Sequence, residues 1–127
     1  ALADEVARSD GVRARGAGLD AASVRAALEA ASIVLHTTPV GMTGHPGCVV
    51  PEDALEARHT VFDIVYTPLR TDLVRRAEAR GATEVLGVEM FVGQAARQFE
   101  LWTGRSAPLD VMRQTALAAL AAREDAP

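Results

Sequence analysis

The 127-residue sequence contains no lysine and no asparagine, and its 13 basic residues are all arginine. Chemistry that needs a lysine ammonium, as a Schiff-base amine or a proton shuttle, is therefore excluded for this chain by itself. There is one cysteine, Cys48, so no internal disulfide forms, which fits a reducing compartment. Cys48 lies in the loop-like run His45-Pro46-Gly47-Cys48, with no histidine and acid arranged to activate it as a nucleophile and no second cysteine or histidine cluster for zinc. No apolar run approaches the ~20 residues of a membrane span, and no signal-peptide pattern opens the chain. A formal charge of -4 gives no field that draws the protein to nucleic acid or an anionic membrane. These absences predict a cytoplasmic protein with no nucleic-acid or membrane partner.

What is present describes an ordinary globular domain: 49% hydrophobic and 24% charged residues, a mean hydropathy of +0.09, and abundant alanine, which favours helix. The start, Ala1-Leu2-Ala3-Asp4, has neither methionine nor N-cap and reads as entered partway through a helix, so a truncated start is expected.

Two hydrophobic periods alternate down the chain. Leu2 and Val6 lie four apart on a helix that fades into Ser9-Asp10-Gly11, and a short strand is expected at Val12 to Ala14. Asp20 caps a second helix whose Ala21, Val24, Leu28 and Ala31 share a face. Ser32 to Thr38 is a continuous β-prone run, as in a strand covered on both faces. Pro39 ends it, and 41–47 is loop. Pro51-Glu52-Asp53 reads as the first turn of a helix. A second buried strand is expected from Thr60 to Tyr66, a helix from a Thr71 cap through Arg80 to Gly81, and a third strand from Thr83 to Leu86. A long helix from Val88 to about Trp102 carries a stripe of Phe91, Ala95, Phe99 and Trp102. Gly104 stops it, and a last helix after Pro108 turns Leu109, Met112, Ala116, Ala119 and Leu120 inward. Alternating strand and helix with short links predicts an α/β fold, a doubly wound parallel sheet.

In such sheets ligands bind beyond the carboxyl ends of the strands. Three strand ends stand out: 36–42, 63–68 and 86–90. The segments Thr37-Thr38-Pro39-Val40-Gly41-Met42, then Asp63-Ile64-Val65-Tyr66-Thr67-Pro68-Leu69-Arg70-Thr71, then Gly87-Val88-Glu89-Met90-Phe91-Val92-Gly93-Gln94 running on to Gly104 resemble, in order and spacing, the C-terminal part of shikimate dehydrogenase. The resemblance covers residues 32 to about 112.

It implies an NADP-dependent oxidoreductase of the shikimate pathway to aromatic amino acids, interconverting 3-dehydroshikimate and shikimate. It also implies a partial Rossmann-like domain over 1–104, its first βαβ unit missing, and a C-terminal helix over 105–127 that packs back on an N-terminal substrate domain. The glycine-rich phosphate turn and the catalytic lysine-aspartate pair would belong to the preceding half, so this chain holds no catalytic residue and is expected to be inactive alone. By the same resemblance Thr37, Thr38, Pro39, Gly41 and Met42 run beside the cofactor. Ile64 gives a backbone contact at its nicotinamide end, and Gly87 meets the carboxamide, its missing Cβ letting backbone approach a flat ring. Tyr66 and Gln94 contact substrate. His36 departs from the pattern, standing where asparagine is usual.

Each residue has a plainer reading. Tyr66 at a strand end also caps a core, and Gln94 fits any exposed helix flank. His36 reads as a hydrogen-bonded strand-end histidine and Asp63 as a binder of nearby backbone N–H groups. Met42 and Met90 fit a core, and Gly41, Gly44 and Gly47 form a turn without phosphate-loop spacing. Two other functions stay open: a quinate or shikimate dehydrogenase using NAD, and a non-catalytic truncated paralogue acting as a binding module.

Overall fold

A computed structural model describes residues 2–10 and 13–124. The elements are α1 (Leu2–Asp10), α2 (Ala21–Glu29), β1 (Ile33–His36), β2 (Thr60–Asp63), α3 (Asp72–Ala79), β3 (Thr83–Val85), α4 (Gly87–Thr103) and α5 (Leu109–Glu124). The strands form a parallel sheet in the order β1-β2-β3, the α/β architecture expected. Of the strand predicted at Val12 to Ala14, Val12 lies outside the described residues, and Arg13 and Ala14 are irregular.

The caps form as their chemistry requires. Asp20 accepts the Ser23 N–H at 3.0 Å and opens α2. Thr71 accepts the Val74 N–H at 3.2 Å and opens α3, which closes into Gly81 at φ +69°. Gly104, at φ +66°, donates its N–H to Glu100 and ends α4. The helix expected at Pro51-Glu52-Asp53 does not form, and this stretch contains only turns. Val50 and Leu55 are both buried there, at a spacing that no single helix face matches, so the chain turns to bury both.

β2 is shorter than its apolar run. The Ile64 N–H still reaches the His36 carbonyl at 3.1 Å, but the next donor, Val65 N–H, is taken by the Asp63 side chain at 3.0 Å. That bond leads the chain out of the sheet before Tyr66. β1 is not covered on both faces: one of its two faces is open to solvent. Ile33 and Leu35 are 69% and 58% exposed, while Val34 and His36 turn inward.

One core packs Leu28, Val50, Leu55, Val61, Leu73, Ala77 and Ala82 between sheet and helices. A second joins Val88, Val92 and Leu120 with Tyr66, Leu86, Met112 and Ala116. The aromatic stripe of α4 is therefore not its buried face. Val88, Val92 and Ala96, a row of smaller side chains at intervals of four, are buried, whereas Phe91 is half-exposed and Trp102 lies in solvent. In α5 the row Met112, Ala116, Leu120 faces α4 as expected, while Leu109 and Ala119 are exposed.

Candidate functional site

The carboxyl ends of β1 and β2 are joined by a buried polar network. His36 and Asp63 pair in register, with His36 Nδ1 at 2.9 Å from Asp63 Oδ1. His36 Nε2 lies 2.6 Å from Thr38 Oγ1. The Thr71 hydroxyl donates to Asp63 Oδ2 at 2.6 Å. Asp63 thus binds backbone N–H as the sequence suggested, and His36 is the hydrogen-bonded strand-end histidine expected. The carboxylate's link to the α3 cap was not foreseen.

Beyond β1 the chain folds into a turn. Met42 N–H donates to the Pro39 carbonyl at 3.1 Å and Gly41 N–H to the His45 carbonyl at 2.7 Å, with Gly41 at φ +93°, a conformation that favours glycine. Thr43 N–H donates to the Thr67 carbonyl at 2.9 Å, which ties this loop to the exit of β2 beside the cis Thr67-Pro68 bond.

Between these loops lies a hollow of about 430 Å³ lined by Thr37, Thr38, Pro39, Met42, Ile64, Val65, Tyr66, Thr67 and Arg123, within the usual range for a small-molecule site. Most of the sequence-derived candidates meet here. Met42 is a cleft residue and not core; 38% of it is exposed. Tyr66 is half-buried and stacks on Phe91, ring centroids 5.0 Å apart, so it caps a core and lines the hollow at once. Gly41 sits behind the wall, in the turn. Gly87 is buried beneath Ile64 and Val65: a Cβ there would stand 2.6 Å from both carbonyl oxygens. Gln94 is not brought to the hollow. It is exposed on α4, beside a separate depression with Gly93, Arg97, Gln98 and Leu101.

Arg123 was missed, because nothing in the sequence distinguishes it from the other arginines. α5 packs on α4 through Leu120, and Arg123 then reaches the hollow as the only charged residue lining it among the described residues. Its guanidinium gives the cleft a positive rim suited to an anionic ligand group. Cys48 lies elsewhere. Its thiol donates to the Val50 carbonyl at 3.4 Å, and burial pushes it up, away from the thiolate form.

Residues 87–117 match the family model described as the Shikimate 5'-dehydrogenase C-terminal domain. Among curated relatives, a shikimate dehydrogenase (NADP(+)) of Methanopyrus kandleri is 43% identical over 118 residues, covering 91% of this chain and 41% of that protein. A quinate dehydrogenase of Corynebacterium glutamicum, solved in complex with NAD, is 36% identical with a TM-score of 0.78 over 92% of this chain and 41% of that one. A shikimate 5-dehydrogenase of Listeria monocytogenes, solved with shikimate and NAD, is 27% identical with a TM-score of 0.80 over 89% of this chain and 40% of that one. The chain thus spans about two fifths of the length of the relatives it matches. Motif order, parallel sheet and matched domain agree, and the chain belongs to the shikimate dehydrogenase family, corresponding to its C-terminal part.

Proposed function

We propose that this chain is the cofactor-side portion of an NADP-dependent oxidoreductase that interconverts 3-dehydroshikimate and shikimate. The observation that carries the reading is the hollow at the carboxyl ends of β1 and β2, where Thr37, Thr38, Pro39, Met42, Ile64 and Tyr66 converge. Its walls are apolar and hydroxyl-bearing, and among the described residues its one charge is the positive Arg123, a donor set that fits a phosphorylated nicotinamide cofactor. Such a cofactor supplies hydride transfer to or from the substrate carbon. Thr37, Thr38, Pro39 and Met42 form the wall beside it, and Gly41 makes the turn behind them. Ile64 and Gly87 shape the floor at the nicotinamide end. The Tyr66 phenol and the Gln94 amide offer hydrogen bonds to substrate carboxylate or hydroxyls. Residues 1–104 form the partial dinucleotide domain, and the helix in 105–127 packs on an N-terminal substrate domain that also carries the proton-transfer lysine. A second reading, a quinate or shikimate dehydrogenase using NAD, is favoured by the likeness to the C. glutamicum enzyme, which was solved with NAD.

Titrating the isotope-labelled chain with NADP+ and with NAD+ while following the amide resonances of 37–42 and 64–66 tests the site and ranks the cofactors. Mixing the chain with the N-terminal half of the M. kandleri relative and adding shikimate with NADP+ tests the activity. Turnover is expected from the mixture and none from the chain alone. Resonances unmoved by either cofactor, together with an inactive mixture, would replace this proposal with the non-catalytic binding module.

A further inference from the structure

His36 and Asp63 are 5% and 0% exposed, so the proton on each hydrogen bond between them is fixed by what each atom has to offer. Asp63 Oδ1 accepts the Val65 N–H at 3.0 Å and faces His36 Nδ1 at 2.9 Å. Asp63 Oδ2 accepts the Thr71 hydroxyl, whose oxygen in turn accepts the Val74 N–H. An ionised carboxylate only accepts, so His36 Nδ1 carries the proton. In a neutral ring Nε2 is then the acceptor, and the group facing it at 2.6 Å is the Thr38 hydroxyl. Thr38 Oγ1 also accepts the Val40 N–H at 3.3 Å. With that tautomer the relay runs one way, Val40 to Thr38 to His36 to Asp63, and each hydrogen has an acceptor. Among the described residues no buried side-chain nitrogen or oxygen is left without a partner, the condition under which a buried network specifies one arrangement.

We infer that His36 is a positioning residue for the cleft wall. Nδ1 satisfies the Asp63 carboxylate inside the sheet, and Nε2 holds Thr38, which lines the hollow with Thr37, Pro39 and Met42. The two nitrogens have separable duties. An asparagine side chain places its amide N–H near the position of Nδ1 and has no atom near that of Nε2, so His36→Asn would serve Asp63 and leave Thr38 unheld. The consequence for ligand binding rests on the cleft being a dinucleotide site; the brace itself does not.

Histidine-selective nitrogen NMR of the 127-residue chain reads the tautomer, with the proton on Nδ1 of His36 and none on Nε2 as the expected result. His36→Asn and Thr38→Val should each speed hydrogen exchange at the Val40 amide by about fivefold, the worth of one hydrogen bond, and should shift the resonances of 37–42. His36→Asn should keep a urea midpoint near that of the parent, whereas His36→Ala, which removes one of the three donors to the buried Asp63, should lower it. A proton on Nε2 would overturn the inference, and so would Val40 exchange unchanged in both His36→Asn and Thr38→Val. Adding NADP+ separates the two claims. A braced loop whose resonances NADP+ leaves unmoved refutes the dinucleotide reading and retains the brace. Equal NADP+ affinity in parent and Thr38→Val refutes the positioning role.

Discussion

Gly87 and Gly93 both lie in α4, and the structure predicts that replacing each by alanine changes stability in opposite directions. A Cβ on Gly87 would stand 2.6 Å from the carbonyl oxygens of Ile64 and Val65 and 2.7 Å from the Ile64 carbonyl carbon. Close carbon-oxygen contacts in proteins are about 3.3–3.6 Å, so a gap of roughly 0.7 Å must open against backbone with no flexible side chain to give way. α4 cannot simply retreat, since the next residue, Val88, is 0% exposed and packs in a cluster with Leu120. Overpacking of this kind costs about 1–3 kcal/mol. Helix propensity returns at most ~1 kcal/mol, and less at the first residue of a helix. The net for Gly87→Ala is a loss of about 1–2 kcal/mol, or a urea midpoint lower by roughly 1 M at a slope of about 1.5 kcal/mol per M. A Cβ on Gly93 meets nothing within 4 Å, so only the propensity gain acts. Gly93→Ala should raise stability by about 0.8–1.0 kcal/mol. Equilibrium urea unfolding of the two variants decides the matter. If Gly87→Ala matches or exceeds the parent, the contact between α4 and the exit of β2 is wrong.

Asp63→Ala strands three buried or part-buried donors: His36 Nδ1–H, Val65 N–H and the Thr71 hydroxyl. It should cost about 4 kcal/mol, against about 2 kcal/mol for Asp63→Asn, which keeps one acceptor; a loss under ~1 kcal/mol in urea unfolding for Asp63→Ala would refute the network. Arg113 bonds Glu89 at 2.9 and 3.1 Å, and this hydrogen bond holds the Glu89 carboxyl below the usual glutamate range. A depressed carboxyl adds stability that is present above its unfolded pKa and lost as pH falls through its folded one. Both side chains are well exposed, so Glu89→Gln should cost only about 0.5 kcal/mol at neutral pH. The difference should vanish in acid and shrink with added salt; a difference that persists in acid would refute the ion-pair account.

Apart from the helix expected at Pro51 and the strand expected at Val12 to Ala14, element order was legible because it rests on local rules. Asp20, Thr71, Gly81 and Gly104 each cap or stop a helix through bonds within a few residues, and all four do so. Buried faces were less legible, since they depend on what arrives from elsewhere in the chain. α5 packs on the narrow row of Val88 and Val92, so the bulkier Phe91 and Trp102 fall outside the seam although they dominate the sequence pattern. The run Ile33-Val34-Leu35 carries no polar alternate to mark an outward side, and Ile33 and Leu35 are exposed because, among the described residues, that face of β1 is left open. Within the candidate site the same division holds. Loop residues adjacent in sequence, Thr37 to Met42, arrive together, whereas Arg123 reaches the cleft through the packing of one helix on another.

Gly87 has a reason to lack a Cβ that the sequence did not reveal. Its missing Cβ suggested room for a flat ring, yet the space a Cβ would take is filled by the carbonyls of Ile64 and Val65. The glycine is needed by the protein's own backbone, before any ligand is considered. Its effect on the cleft is indirect: by letting α4 start against β2's exit, it sets where Ile64 and Tyr66 stand in the hollow. Gly87→Ala should therefore disturb the resonances of 64–66 in the free chain. A substitution that only blocked a bound ring would leave them in place until ligand was added.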